Sequence, residues 1–273
     1  MTTAVILGGN SGMGKATAIA LASVGYRVII HGKNPEKTKI AAEEIRSRSG
    51  NGNVEFIAAD ISVLKGMKEL AVAIRAKTTE IHAFVLSTGV ILPRHVITAD
   101  GMEAGFAIQY LSRFTLTELL KQELKNGKAH IVHVGAPVMK NAQIFFDDLA
   151  LKNNFSMMRA LGQEMFANHL FVQEYARRNP SNETVMNILH VGIARTDILR
   201  NTNFFLRIMG NLIGKSPEAA ASNIVYLASD PAVAFSGYFL PKPGRPNEKQ
   251  KIGYDSSMAE RLWNTSMELI KAI

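Results

Sequence analysis

Six short apolar runs alternate with longer amphipathic stretches along most of the 273-residue chain. The runs are rich in β-branched residues and are bounded by Gly, Asn or charged residues, which is typical of buried strands. They read TAVILG, YRVIIH, NVEFIAA, IHAFVLS, AHIVHVG and ETVMNILH. The helical stretches between them are 12–24, 35–49, 62–77, 101–125 and 155–178. This alternation predicts a doubly wound α/β fold, in which helices cover both faces of a parallel sheet of about seven strands.

No internal repeat, low-complexity tract or Pro/Gly-rich linker divides the sequence, so we expect a single domain over 1–273. Segment 202–214 is apolar and predicts either a core helix or a lid over an apolar pocket, because ligands in such folds bind beyond the carboxyl ends of the strands. Segment 255–271 has apolar residues at helical spacing. It predicts a C-terminal helix packed on the body or on a partner subunit.

Composition excludes several classes of site and partner. The chain has no cysteine, so disulfides and thiolate metal sites are excluded, and no HExxH-type spacing indicates another metal. The N-terminus lacks the pattern of a signal peptide, and no apolar run is long enough for a membrane span, so we expect a cytoplasmic protein. The net charge of +8 comes from scattered basic residues. Without a basic-aromatic block, a solvated basic surface is favoured over nucleic-acid binding.

A glycine-rich turn, GGNSGMGKAT at 8–17, connects the first strand to the first helix. Such a turn lets main-chain N–H groups and the helix dipole bind phosphate. A P-loop needs a hydroxyl for magnesium after Lys15, where this chain has Ala16. A dinucleotide turn needs only the glycine spacing that is present. This spacing is moderately specific by itself, and the strands that follow decide in favour of a Rossmann-type site. Its predicted contacts are Gly8, Asn10, Ser11, Gly12, Met13 and Gly14.

The ends of the second and third strands indicate which dinucleotide. An acidic residue at the end of the second strand binds the ribose of NAD, whereas this strand is followed by Lys33. A lysine there favours the 2′-phosphate, hence NADP(H) over NAD, unless it is a solvated surface charge. Asp60 and Ile61 close the third strand where a carboxylate can accept the adenine amino group. Asp60 could equally be the N-cap of the next helix.

Over nearly its whole length the chain resembles the short-chain dehydrogenase/reductase family, and in particular its retinol dehydrogenase-like branch. LGGNSGMGKATA is similar to the family's TGANSGIG turn, HGKNPEK to the branch's CRNPEK, and AADIS to its adenine-binding motif. PEAAASNIVYLASDP, SGYFLP and AERLWNTSMEL follow the branch's C-terminal pattern. The resemblance implies further cofactor contacts on the nicotinamide side. These are Thr88 and Gly89 after the fourth strand, and Gly192 and Thr196 in HVGIART.

The resemblance also implies where the catalytic residues would lie, and all four positions are substituted. The family uses Asn, Ser, Tyr and Lys to polarise the substrate and to transfer its proton. Matching the flanking motifs places Gln109, Ala136, Leu161 and Met165 at these positions, with Asn168 nearby. We therefore predict no conventional catalytic residue, and assign these five side chains to a substrate pocket.

Several other side chains are candidates to replace the missing proton donor. His133 is a lone strand histidine, and Tyr110 lies about 100° around the helix from Gln109. Arg113 is on the same helix, and Asp147 and Asp148 are predicted to be on a surface loop.

Three functions remain open. The first is a protein that binds NADP(H) and a lipophilic small molecule in a non-redox role. The second is an NADPH-dependent reductase of a polarised double bond, imine or carbonyl with an unorthodox proton donor. The third is a non-enzymatic partner subunit, and a homo-oligomer is a related expectation.

Overall fold

A computed structural model describes residues 1–181, 183–191, 217–241 and 248–271. The predicted lid at 202–214, and the predicted cofactor contacts Gly192 and Thr196, lie outside the described residues. The described strands are β1 (Thr3–Leu7), β2 (Arg27–Gly32), β3 (Val54–Ala58), β4 (Ala83–Leu86), β5 (His130–Gly135), β6 (Val185–His190), β7 (Tyr238–Leu240) and β8 (Gln250–Lys251).

The strands form one sheet in the order β3-β2-β1-β4-β5-β6-β7-β8. The first seven pair in parallel, whereas β8 pairs antiparallel with β7. This confirms the predicted α/β class with its mostly parallel sheet. The sheet differs from the predicted one of about seven strands by the eighth strand. Its two residues are polar, so no apolar run in the sequence indicates it.

The helices are α1 (Gly12–Ser23), α2 (Pro35–Ser49), α3 (Leu64–Arg75), α4 (Ala104–Phe106), α5 (Ser112–Leu119), α6 (Lys121–Asn126), α7 (Met157–Arg178), α8 (Pro217–Ser229) and α9 (Ser256–Lys271). Apolar side chains from α3, α5, α7 and α9 cover one face of the sheet. Those from α1, α2 and α8 cover the other face. Most residues of β1–β6 are therefore buried, which explains the near-continuous apolar sequences of these strands, whereas both residues of β8 are exposed.

The helix predicted over 101–125 is in fact interrupted. Gly101 has a φ of +76°, which is not helical, and helix α4 begins after the N-cap residue Glu103. A π-helical turn follows at Ala107–Leu111 and adds a residue to the helical path before α5. A further break at Leu120 separates α5 from α6. Apolar periodicity does not detect the π-helical turn or the break at Leu120, because the residues on both sides of each are helical.

Helix α9 is the predicted C-terminal helix. Its apolar side packs on α7 and α5, where Trp263 lies edge-on to Phe114 and close to Phe171. Arg178 of α7 places its guanidinium over the Trp263 ring at 4.6 Å. The described part of the chain contains no helix with the length and apolar character needed to cross a bilayer.

Candidate functional site

A cavity of about 290 Å³ opens where the loops after β1, β2, β3 and β4 meet. The strand order reverses between β1 and β4, and this is the place where doubly wound sheets bind their ligands. All eleven described residues predicted to contact the cofactor line this cavity. The complete lining is Gly8, Asn10, Ser11, Gly12, Met13, Gly14, His31, Gly32, Lys33, Asn34, Lys37, Asp60, Ile61, Ser62, Ser87, Thr88, Gly89, Val90 and Ile108.

The first wall of the cavity is the glycine-rich turn. Gly8 and Gly12 have φ values of +76° and +51°, which glycine adopts at little cost, and Gly12 starts α1. The N-cap residue Ser11 makes no side-chain capping bond, and the first turn of α1 carries no acidic residue. The N-terminus of α1 thus presents main-chain N–H groups and a positive dipole to an anion.

Gly14 lets this helix approach the turn closely. A Cβ atom at this position would lie 2.3 Å from the carbonyl oxygen of Gly8, too close for any side chain. Ala16, which stands where a P-loop has its magnesium-binding hydroxyl, is buried in α1. The next hydroxyl, that of Thr17, donates to the Met13 carbonyl within the helix. The turn therefore has the geometry of a dinucleotide site rather than of a P-loop.

Lys33 and Asp60 face each other at the opposite end of the cavity. Lys33 Nζ lies 2.8 Å from Asp60 Oδ2, and 74% of the Lys33 side chain is exposed. Asp60 Oδ1 accepts hydrogen bonds from the main-chain N–H and the hydroxyl of Ser62. Although burial alone would raise it, these hydrogen bonds and the one from Lys33 keep the pKa of Asp60 below its usual value. Asp60 is therefore an anionic acceptor in the turn before α3, whose N-cap residue is Val63.

His31 lines the same end, although no sequence motif singles it out. It is almost fully buried, and its Nε2 donates to the carbonyl of Ala59 over 3.0 Å. Its Nδ1 is buried without a hydrogen-bond partner. Burial lowers the pKa of His31, so the ring is neutral at neutral pH. The remaining ring nitrogen is an acceptor available at the cavity wall.

The loop after β4 forms the third wall. Thr88 and Gly89 both line the cavity, and Thr88 lies beside Gly8, where an added Cβ would be 3.1 Å from Thr88 N. The hydroxyl of Thr88 is buried and has no hydrogen-bond partner. Buried hydroxyls are normally hydrogen-bonded, so this one indicates that the wall is made for a polar ligand. The free helix N-terminus, the lysine and this hydroxyl together fit the phosphates and ribose of a dinucleotide.

The four substituted catalytic positions lie outside the lining of this cavity. Gln109 is in the π-helical turn and donates through Nε2 to the carbonyl of Val90 over 3.0 Å. Ala136 follows β5, and its carbonyl accepts a hydrogen bond from His169. Leu161 and Met165 are half-buried on α7. None of the four side chains releases or accepts a proton readily near neutral pH.

Asn168 packs between elements rather than against the cavity. Its Nδ2 donates to the main-chain carbonyls of Gln109 and Glu164, over 3.0 and 2.7 Å. Its Oδ1 accepts from His133 Nδ1 over 3.2 Å. His133 is fully buried, and burial lowers its pKa well below the usual value, so it remains neutral.

The other replacement candidates are also occupied elsewhere. The Tyr110 hydroxyl is fully buried, 2.7 Å from Ser266 Oγ, and burial raises its pKa. Asp147 is fully exposed, and Asp148 accepts hydrogen bonds from two main-chain N–H groups in a surface turn. Within the described ranges, no group of His, Asp or Glu side chains is arranged to hold a metal ion.

Two further carboxyl groups, which no sequence motif singles out, are buried. Glu103 and Glu164 are 1% and 4% exposed. A signal for Glu164 was present, because helical spacing places it on one stripe with Ala160, Ala167 and Phe171, all of them buried. An acidic residue on the apolar stripe of a helix requires an explanation.

Comparison with known proteins identifies the family. A family model described as short chain dehydrogenase matches residues 2–146. Human retinol dehydrogenase 13 is 31% identical, with 98% of this chain and 84% of the relative covered. Human polyprenol dehydrogenase is 28% identical, with 97% of this chain and 84% of the relative covered.

Solved structures agree in fold. An uncharacterized protein from Mycobacterium paratuberculosis superposes with a TM-score of 0.74 at 25% identity, with 99% of this chain and 94% of that chain covered. A 3-oxoacyl (acyl-carrier-protein) reductase from Agrobacterium tumefaciens, solved with NADP bound, gives 0.69 at 20% identity, with 88% and 92% covered. The chain therefore belongs to the short-chain dehydrogenase/reductase family, and it is similar to NAD(P)-dependent oxidoreductases along nearly its whole length.

Proposed function

We propose that the protein binds NADP(H) in the cavity after β1–β4 and binds or converts a lipophilic small molecule without ordinary alcohol/carbonyl redox chemistry. The observation that carries the proposal is a contrast between the positions matched to cofactor binding and those matched to catalysis. The phosphate, ribose and adenine positions keep suitable groups, whereas Gln109, Ala136, Leu161 and Met165 replace all four proton-transfer residues.

The preference for NADP(H) over NAD is supported by the charge at the end of β2. Lys33 is exposed at the mouth of the cavity, and its partner Asp60 belongs to the opposite wall. In a dinucleotide site a carboxylate at the end of the second strand favours the free ribose hydroxyls, and a cation favours the 2′-phosphate. A bound dinucleotide supplies hydride chemistry in this family. The residues of this chain hold its phosphates and its adenosine.

The absence of ordinary redox chemistry is supported by the side chains at the matching positions. Reduction of a carbonyl needs a proton donor at the substrate oxygen. Leu161 cannot donate a proton, and Met165 carries no charge that would lower the pKa of a proton donor. Two apolar side chains there also disfavour the development of charge.

The chemical class of the small molecule is supported by the relatives. Retinol dehydrogenase 13 and polyprenol dehydrogenase are named for long apolar alcohols. Leu161 and Met165 fit a lipophilic ligand better than the hydrogen-bonding groups that they replace.

Titration of the purified protein with NADPH and NADH, followed by nucleotide fluorescence, tests the cofactor assignment. We expect NADPH to bind at least about tenfold more tightly than NADH, a difference of about 1.4 kcal/mol. Lys33→Ala should remove most of this preference. The control is Lys65→Ala, an exposed lysine on α3 outside the cavity. Equal binding of the two nucleotides would contradict the assignment.

Turnover of NADPH with a panel of apolar aldehydes, ketones, enones and imines tests the non-redox role. We expect no oxidation coupled to product. Sustained coupled oxidation would instead support a reductase with an unorthodox proton donor. If the protein binds no nucleotide, the remaining candidate function is that of a non-enzymatic partner subunit.

The combined variant Ala136→Ser, Leu161→Tyr and Met165→Lys tests whether the matched positions are correct. We expect measurable reductase activity, because the serine, tyrosine and lysine of the family would be restored. The matched control carries Phe instead of Tyr at position 161, which keeps the ring but lacks the proton. Equal activity of the two variants would show that the positions are misassigned.

A further inference from the structure

Two side chains from different parts of the chain meet above Gly32, the last residue of β2. A Cβ on Gly32 would lie 2.2 Å from Nδ2 of Asn10 and 2.4 Å from Oγ1 of Thr38. Asn10 belongs to the glycine-rich turn, and Thr38 lies near the start of α2. The space that a side chain at position 32 would fill is therefore taken by an amide and a hydroxyl, which connect the glycine-rich turn to α2.

The Thr38 hydroxyl makes two hydrogen bonds at this place. It accepts from Asn10 Nδ2 over 3.2 Å and donates to the main-chain carbonyl of Asn34 over 2.6 Å. A bond from a threonine to the carbonyl four residues earlier is common in helices. The bond from Asn10, in contrast, joins residues that are 28 positions apart. It is therefore a tertiary contact, which the helix itself does not require.

On one side of this contact is the turn that carries Lys33. Asn34 is the N-cap residue of α2, and its Oδ1 accepts from the main-chain N–H of Lys37 over 2.8 Å. Since its carbonyl is held by Thr38, Asn34 is fixed at two atoms. Lys33 itself is 74% exposed and is paired with Asp60, and exposed ion pairs contribute little free energy. The position of Lys33 is therefore set mainly by its neighbour Asn34.

On the other side of the contact is the turn predicted to bind the diphosphate. Asn10 lines the cavity between Gly8 and Gly12, whereas Thr38 is fully buried behind the lining. In NADP(H) the diphosphate and the 2′-phosphate are attached to the same ribose, so the distance between their two binding sites has to match the ligand. NADH carries only the diphosphate. A shift of one turn against the other would therefore weaken the binding of NADPH more than that of NADH.

We propose that Thr38 is a positioning residue for cofactor specificity: its hydroxyl joins the glycine-rich turn to the turn 32–34 and so holds Lys33 at the distance from the diphosphate site that the 2′-phosphate of NADP(H) requires. This inference rests on the proposed binding of NADP(H). Thr38 lies behind the cavity wall and acts through Asn10 on one side and through Asn34 on the other.

Titration with NADPH and with NADH, followed by nucleotide fluorescence, tests the proposal on three variants. Thr38→Val keeps the shape of the side chain and removes the hydroxyl, whereas Thr38→Ser keeps the hydroxyl. The matched control is Thr117→Val on α5. Thr117 is 1% exposed, and its hydroxyl also donates to the carbonyl four residues earlier, that of Arg113, over 2.7 Å. It lies outside the cavity lining.

We expect Thr38→Val to bind NADPH at least about fivefold more weakly, the usual effect of one lost hydrogen bond, and to bind NADH within about twofold of the wild type. Thr38→Ser and Thr117→Val should keep the wild-type preference for NADPH. The proposal is overturned if Thr38→Val keeps that preference, if it weakens both nucleotides equally, or if Thr38→Ser loses the preference as Thr38→Val does. If Thr38→Val does not fold, Thr38→Ala removes the same hydroxyl and is judged by the same outcomes.

A combination with Lys33→Ala tests how the effect reaches the cofactor. Because Thr38 acts by placing Lys33, the variant with both Lys33→Ala and Thr38→Val should bind NADPH as tightly as Lys33→Ala alone. If the two changes weaken NADPH binding independently, Thr38 acts on another part of the site and the proposal is overturned.

A measurement without nucleotide separates this proposal from the proposed function. The effects of Asn10→Ala and Thr38→Val on the free energy of unfolding should be non-additive, because both remove the same hydrogen bond. Additive effects would overturn the proposal. If the wild type binds no nucleotide, or binds NADPH and NADH equally, the cofactor assignment and the role of Thr38 both fail, while the non-additivity still detects the bond. If the wild type and Thr38→Val both prefer NADPH to the same degree, the cofactor assignment stands and only the role of Thr38 fails.

Discussion

Single residues decide how the cavity is built, and they differ in how well the sequence predicts them. Gly14 follows from the motif, because the close approach of helix and turn is encoded in the glycine spacing. The role of Asp60 does not follow from the motif, because a carboxylate that binds a ligand and one that accepts hydrogen bonds within a turn have the same local sequence. Only the positions of Ser62 and Lys33 in the structure show the contacts that Asp60 makes. The sequence does not single out Glu164, because its carboxyl group lies close to that of Glu103, which is distant in sequence and precedes α4.

Replacing Gly14 by Ala tests the close approach at the phosphate turn. The added Cβ would lie 2.3 Å from the Gly8 carbonyl oxygen, so the turn and α1 must separate. We expect NADPH affinity to fall by at least about tenfold, since the main-chain N–H groups no longer converge on one phosphate. Nucleotide fluorescence measures this. Gly52→Ala is the control, because its Cβ would meet no atom within 4 Å. Wild-type affinity in Gly14→Ala would show that this turn does not bind the phosphate.

At the scale of elements, apolar runs predicted β1–β6 to within one or two residues, because most residues of these strands are buried and have no competing periodicity. Helix continuity was predicted less well. The interval 101–125 contains a π-helical turn and a break at Leu120. Both lie where a side chain of another element is hydrogen-bonded to the helix backbone, as Arg75 is to the carbonyl of Leu119. The other contact is the hydrogen bond from Asn168 to the Gln109 carbonyl in the π-helical turn. Such contacts are tertiary, so local propensity does not contain them.

Helix α9 should contribute strongly to stability through one side chain. Trp263 is 8% exposed and packs on two aromatic rings and on Arg178. We expect Trp263→Ala to lower the free energy of unfolding by about 3 kcal/mol, because removal of a buried aromatic ring leaves a cavity. Denaturation in urea measures the change. Asn264→Ala, on the exposed side of the same helix, should change it by less than about 0.5 kcal/mol. Equal effects would show that the α9 packing does not stabilise the fold.

At the scale of the whole molecule, buried neutral histidines should make the fold sensitive to acid. Burial lowers the pKa of His169 to about 4, and it lowers the pKa of His133 well below its usual value. The unfolded chain takes up protons at these side chains below about pH 6.5, whereas the folded chain does not until lower pH. Stability from these groups is therefore present above pH 6.5 and is lost as the pH falls toward about 4.

His169→Gln tests this dependence while keeping a donor for the Ala136 carbonyl. Urea denaturation at a series of pH values should give a flatter curve below about pH 6.5 for the variant. The wild type should lose up to about 3 kcal/mol more than the variant over this interval. An unchanged slope would mean that His169 is protonated in the folded protein.

The central position of β1 has a consequence for how the chain is made. β1 pairs with β2 at residues 27–31 on one side, but its other partner is β4 at residues 83–86. During synthesis, β1 therefore has one bare edge of N–H and C=O groups until the ribosome has released β4. Such an edge is a template for pairing with another chain. Nascent chains that stall between β3 and β4 should therefore depend on chaperones. In chains that stall after β4, both edges of β1 can already be paired.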